Sequence, residues 1–253
     1  MVNDEPRDWW PDLALLTGVA VLTAALAMGA LLDIGIAIRD WSDSHHPGLL
    51  HALSRGLNQM GSANLLATIA LVLAVPLAVR SRSARPLLPI VTTYVVSHVL
   101  IAPIKIFTDR AAPHAPAPDA VELFADPDGW SYPSGHVANT LIWYLLLVLL
   151  ADALLRSFGR PPLPGRLRRT LLVAPPIIVT ATVTYLGFHW LTDSIAALLL
   201  GWLLARLLRR MPWAAEQTYP NPPHPRTPTP ASPRPQREAR ELDRGRLAPP
   251  EGR

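Results

Sequence analysis

His189 and Asp193 stand four residues apart in the run His-Trp-Leu-Thr-Asp. On a helix that spacing puts imidazole and carboxylate on one face, where the carboxylate accepts from one ring nitrogen and leaves the other free as a nucleophile. A second histidine closes the run Pro133-Ser134-Gly135-His136, where a loop enters a long apolar block. Unpaired amides at a helix start attract anions, Gly135 allows close approach, and Ser134 caps the helix or donates a hydrogen bond. His136, placed at an interface, exchanges protons with water, and Asn139 lies one turn further on the same face, where it could orient the ring. Lys105 is the only lysine among 23 basic residues, and Arg110 follows five positions on. Taken singly, each feature has a plain structural account. Lys105 fits a snorkelling side chain, Arg110 a loop arginine, Ser-Gly an ordinary cap, and His189 with Asp193 a satisfied interfacial pair at a helix start. Taken together, the set suits histidine attack on an anionic phosphoryl group.

The elements that must position these residues are membrane helices. Half of the 253 residues are hydrophobic and only 17% are charged, against roughly 25% in a typical soluble domain. Six apolar blocks follow one another: Leu13 to Leu32, Ala63 to Val79, Leu87 to Ile104, Val137 to Leu155, Leu171 to Phe188 and Ile195 to Leu208, the last starting near Trp190. A run of about twenty apolar residues crosses ~30 Å of hydrocarbon as a helix. A cleaved signal peptide is the competing reading of the first block. Asp4, Glu5 and Asp8 make a poor basic leader, however, and no small-x-small cleavage site follows Leu32. The expected fold is all-α: a six-helix polytopic membrane bundle over 13–210, a short N-terminus over 1–12, and a Pro/Arg-rich tail over 211–253 too poor in large apolar residues to fold.

Arginines concentrate in the second and fourth connections and after the last block, while the outer segments hold few. The positive-inside rule then puts both termini in the cytoplasm and the candidate residues at the outer face. The net charge of +4 reflects this bias and carries no sign of a nucleic-acid partner. Leu49, Leu50, Leu53 and Leu57 repeat at helical spacing within His45 to Met60, which predicts an amphipathic interfacial helix beside a lipid entrance. His45, His46 and His51 lie there without a carboxylate to complete a metal site. The absence of cysteine excludes disulfides and thiolate chemistry.

In order, spacing and placement these residues resemble the type 2 phosphatidic acid phosphatases, which share a core with vanadium haloperoxidases. The family pattern is Lys-x6-Arg-Pro, Pro-Ser-Gly-His and Ser-Arg-x5-His-x3-Asp. Here it reads Lys105 to Pro113, Pro133 to His136 and Thr182 to Asp193. Two arginines of the pattern are missing: Ala112 and Val183 stand in their places, and Thr182 replaces the serine. Losing charge-assisted donors weakens phosphate binding and transition-state stabilisation. Arg110, two positions before Ala112, is expected to substitute for one of them.

The resemblance implies that His189 is the nucleophile, Asp193 its supporting carboxylate and His136 the proton donor. Lys105, Arg110, Ser134 and Gly135 would hold the phosphoryl oxygens. It implies no metal and no other cofactor. The implied partners are membrane lipids and a lipid phosphate or pyrophosphate, polyprenyl or glycerolipid, met at the outer face of a bacterial cell membrane. Self-association is compatible with it. Two other readings stay open: a phosphotransferase using the same intermediate with an alcohol acceptor, and a non-catalytic lipid-binding or transport relative.

Overall fold

The computed structural model describes residues 8–116, 119–125 and 128–211, which fall in one compact unit. The predicted tail, apart from Met211, lies outside the described residues. Eight α-helices and no strand form among those described: α1 Trp10–Ala27, α2 Leu32–Ser44, α3 Gly48–Asn58, α4 Ala63–Ser81, α5 Leu88–Thr108, α6 Gly135–Ser157, α7 Gly165–Tyr185 and α8 Leu191–Arg209. Six of these, all but α2 and α3, are long and apolar enough to cross a membrane. The chain is an integral, multi-pass membrane protein.

The first apolar block is not one helix. It breaks at Met28–Leu31, where Gly29 and Leu31 take positive φ angles of 79° and 68°, and α2 starts at Leu32. Apolar continuity hid this turn, because hydropathy reports what a segment is dissolved in and not its backbone path. At the other extreme α7 begins six residues before its apolar block and carries Arg166, Arg168 and Arg169 in its first turns. It stops at Tyr185, so that Leu186 to Trp190 form a loop with Gly187 at φ 66°. The amphipathic helix appears as α3, with Leu49, Leu50, Leu53 and Leu57 exposed on it.

The bundle is built around α6 and α8, which run in the same direction and are its most buried helices. Small residues let them approach. Ala197, Gly201 and Ala205 recur every four positions on α8, and a Cβ built on Gly201 would lie 2.9 Å from Leu141 Cδ1 and 3.1 Å from Ala138 Cα on α6. Without a hydrophobic drive between helices in lipid, such close backbone packing is what holds them. Val179 and Val183 of α7 complete this core with Val137 and Ile142. On the other side of α6, Leu66, Ala70, Ala74 and Leu77 of α4 pack against Trp143, Leu146 and Leu150. Because α6 and α8 start at the same end, their N-termini meet there, and the Ser134 amide donates to the Asp193 carbonyl at 3.1 Å. Two positive helix ends therefore converge on one spot, the ordinary setting for an anion.

Candidate active site

At this junction the fold gathers His136, His189, Asp193, Lys105, Arg110, Ser134 and Gly135. His189 sits in the α7–α8 loop with its Nδ1 2.9 Å from the Ser131 carbonyl, 3.2 Å from Ser131 Oγ and 3.7 Å from Asp193 Oδ2. A carbonyl only accepts, so Nδ1 carries the proton and Nε2 is left with its lone pair. The Ser131 carbonyl thus takes the hydrogen bond that the sequence spacing assigned to Asp193. Asp193 stands one step behind, close enough to favour positive charge on the ring without bonding it directly.

Asp193 is fully buried and saturated with donors: Arg110 Nη1 at 2.6 Å, Ser131 Oγ at 2.5 Å and the Trp190 amide at 3.0 Å. The Trp190 bond caps the start of α8, which explains why an aspartate occupies its first turn. A carboxylate in this position costs several kcal/mol in lost hydration unless paired, and here the pairing is complete.

Arg110 reaches the cluster from behind. Only 1% exposed, it donates from Nη1 also to Thr192 Oγ1 at 2.8 Å, and from Nε and Nη2 to the Val121 carbonyl at 3.0 and 2.7 Å. Its guanidinium faces Asp193, whereas the sequence reading sets it against phosphate oxygens. The α5–α6 loop that carries it folds tightly: the Ser131 amide donates to the Arg110 carbonyl, Trp190 Nε1 to the Ala111 carbonyl, and a Cβ on Gly129 would meet Arg110 backbone at 2.4 Å. Tyr132 anchors the same loop to α1 through a 2.7 Å contact between its hydroxyl and Thr23 Oγ1, and burial holds its phenol above the ordinary tyrosine pKa.

Across from His189, the His136 ring lies 6.5 Å away, centroid to centroid, in the first turn of α6. Ser134 caps that helix, accepting from the Val137 amide at 3.5 Å. The amides of Gly135 and His136 have no acceptor among the described residues. Lys105, near the end of α5, donates from Nζ to the Trp130 carbonyl, and a Cβ on Gly135 would come within 3.9 Å of its Cε. Asn139 does not orient His136: its amide donates at 3.2 Å to the Gly61 carbonyl, tying the short 3₁₀ turn before α4 to α6. Gly61 itself is required, since a Cβ there would lie 2.7 Å from the His136 carbonyl.

Val183, at the place of one missing arginine, is fully buried in the α6–α7–α8 core. Among the described residues no group of three or more His, Asp or Glu gathers as metal ligands. His45 bonds the Trp41 carbonyl, and His46 lies against His51 and Tyr185. Ser131 and Thr192 were missed in the sequence. Ser131 is an ordinary loop serine until the fold brings it to a partner 58 positions away, and its adjacency to Pro133-Ser-Gly-His was the one available signal.

Residues 86–217 match the PAP2 superfamily, and the chain belongs to that family. Among solved structures it is similar to a transmembrane PAP2-type phosphatidylglycerolphosphate phosphatase from Bacillus subtilis. That match has 20% identity and a TM-score of 0.63, over 79% of this chain and 94% of that one. No curated protein matches.

Proposed function

We propose that the chain is a membrane lipid phosphatase that hydrolyses a lipid phosphate or pyrophosphate on the extracytoplasmic side through a phosphohistidine. The observation that carries this reading is the His189 tautomer: a carbonyl holds Nδ1–H, a saturated Asp193 stands behind it, and Nε2 is free beside His136. In the first step His189 Nε2 bonds to phosphorus as the bond to the leaving oxygen breaks, and protonated His136 gives that oxygen its proton. In the second, neutral His136 takes a proton from water, whose oxygen displaces His189 and releases phosphate. Positive charge grows on the imidazole in the first step, which is where Asp193 stabilises it. Lys105 and the free amides of Gly135 and His136 supply donors for the phosphoryl oxygens, with Ser134 beside them. Family membership supports phosphatase chemistry, and the named activity of the Bacillus subtilis structure makes a glycerolipid phosphate a natural first substrate to try.

The test is phosphate release by the purified protein from phosphatidic acid, phosphatidylglycerol phosphate, diacylglycerol pyrophosphate and polyprenyl pyrophosphate, beside His189→Ala. Release that disappears in the variant supports the reading. Equal release by the variant refutes it. The burial of Val183 in place of a charged donor favours one second reading, a phosphotransferase with a less heavily clamped phosphodiester. Its signature is a new phosphodiester product when an alcohol acceptor is supplied, in place of free phosphate.

A further inference from the structure

Away from the catalytic cluster, α7 and α8 stand apart along much of their length. Two cavities of about 450 and 600 Å³ open between them and share Pro176, Ile177 and Leu198, so they form one continuous fissure. Pro175 and Pro176 lie at its middle. Each removes a backbone donor from α7 and crowds the preceding turn, which is a local reason for this helix to part from its neighbour.

The two ends of the fissure differ. Towards the catalytic end it is walled by Trp41, Tyr185 and Leu191. The opposite end, ~27 Å along α8 from Leu191 at 1.5 Å per residue, is walled by Trp202, Arg206 and Arg209. Arg206 is paired with Asp12 at 2.7 Å, and Arg168, close enough to act on Arg209 electrostatically, lies 3.5 Å from Asp152. Arg209 has no carboxylate or hydrogen-bond partner among the described residues. Three guanidinium groups thus gather at the mouth of an apolar slot with one of them uncompensated. An apolar slot ending in unneutralised positive charge matches an acyl chain ending in an anionic headgroup, and a soluble anion would leave the slot unfilled.

We propose that the fissure binds one anionic phospholipid from the leaflet opposite the catalytic end, with its phosphate on Arg209 beside Arg206 and Arg168 and an acyl chain along Val173, Ile177 and Leu198. By the distribution of arginines this is the cytoplasmic leaflet. The site is separate from the one that turns over substrate, and its occupancy does not depend on the proposed activity.

The experiment is native mass spectrometry of the full-length protein in detergent, titrated with dioleoyl phosphatidylglycerol or dioleoyl phosphatidylcholine, alongside the melting temperature. Phosphatidylglycerol is expected to be retained as one molecule per chain and to raise the melting temperature more than phosphatidylcholine. Arg209→Gln is expected to lower its apparent affinity about tenfold, the size of one lost charge-assisted contact, and Arg209→Lys to restore most of it. Lys105→Ala, which alters the catalytic cluster, should leave retention unchanged. Equal retention of both lipids, or retention lost in Lys105→Ala and untouched in Arg209→Gln, overturns the proposal. Should Arg209→Gln fail to fold, Ile177→Trp fills the slot while sparing every arginine; undiminished phosphatidylglycerol retention by that variant also overturns it.

Discussion

In the proposed mechanism His189 works through neighbours that do not touch substrate, and the most consequential of these is Arg110, which holds Asp193. Removing it would leave the Asp193 carboxylate buried with a net charge, at a cost of about 3–5 kcal/mol in stability. If Arg110 acts by holding Asp193, Arg110→Ala lowers kcat by an order of magnitude or more and leaves KM nearly unchanged, because Asp193 matters only as charge forms on the imidazole. A rise in KM with kcat preserved would return Arg110 to the phosphate. Steady-state kinetics on folded variant, with Arg110→Lys alongside, separates the two. At this scale the sequence was informative about identity and less so about direction. His136 and Asp193 were legible as residues of a helix's first turn, whereas His189 lies in the loop before α8 and meets the Ser131 carbonyl, which four-residue helical spacing does not describe. Which way Arg110 turned was not legible, since its loop is set by the Val121 carbonyl, the Gly129 backbone and the Trp190 indole, contacts that have no sequence period.

Elements bring the two histidines together only because α6 and α8 lie close and start at one end. Gly201 is a close approach in that contact, where a Cβ would lie 3.1 Å from Ala138 Cα. Gly201→Leu would push α8 off Ala138, and overpacking of this kind costs about 1–3 kcal/mol. The expected outcome is a lower melting temperature together with a lower kcat, since the starts of both helices move relative to each other. Thermal denaturation and turnover measured on the same preparation check it; an unchanged melting temperature would show that the helices slide freely there. All six spans were visible as hydropathy blocks, with α7 and α8 beginning outside theirs and the first block running past the end of α1 into α2. The break after α1 was not visible, because Gly29 and Leu31 turn inside an unbroken apolar run.

For the molecule as a whole, the orientation proposed from where the arginines lie is directly testable, because the sequence lacks cysteine. A single cysteine at Ser44, the exposed last residue of α2, should react with an impermeant maleimide in intact cells, while one at Ala84, between α4 and α5, should react only after permeabilisation. The reverse pattern would put the catalytic cluster in the cytoplasm. What decides the proposed mechanism, however, is whether a covalent bond forms at one atom, His189 Nε2. Quenching the intact protein in base during turnover of a lipid phosphate, then mapping the added phosphoryl mass by fragmentation, tests it most directly. The expected result is one acid-labile phosphoryl group on His189 that is absent from His189→Ala. Turnover with phosphate on another residue, or undiminished turnover in His189→Ala, would contradict it.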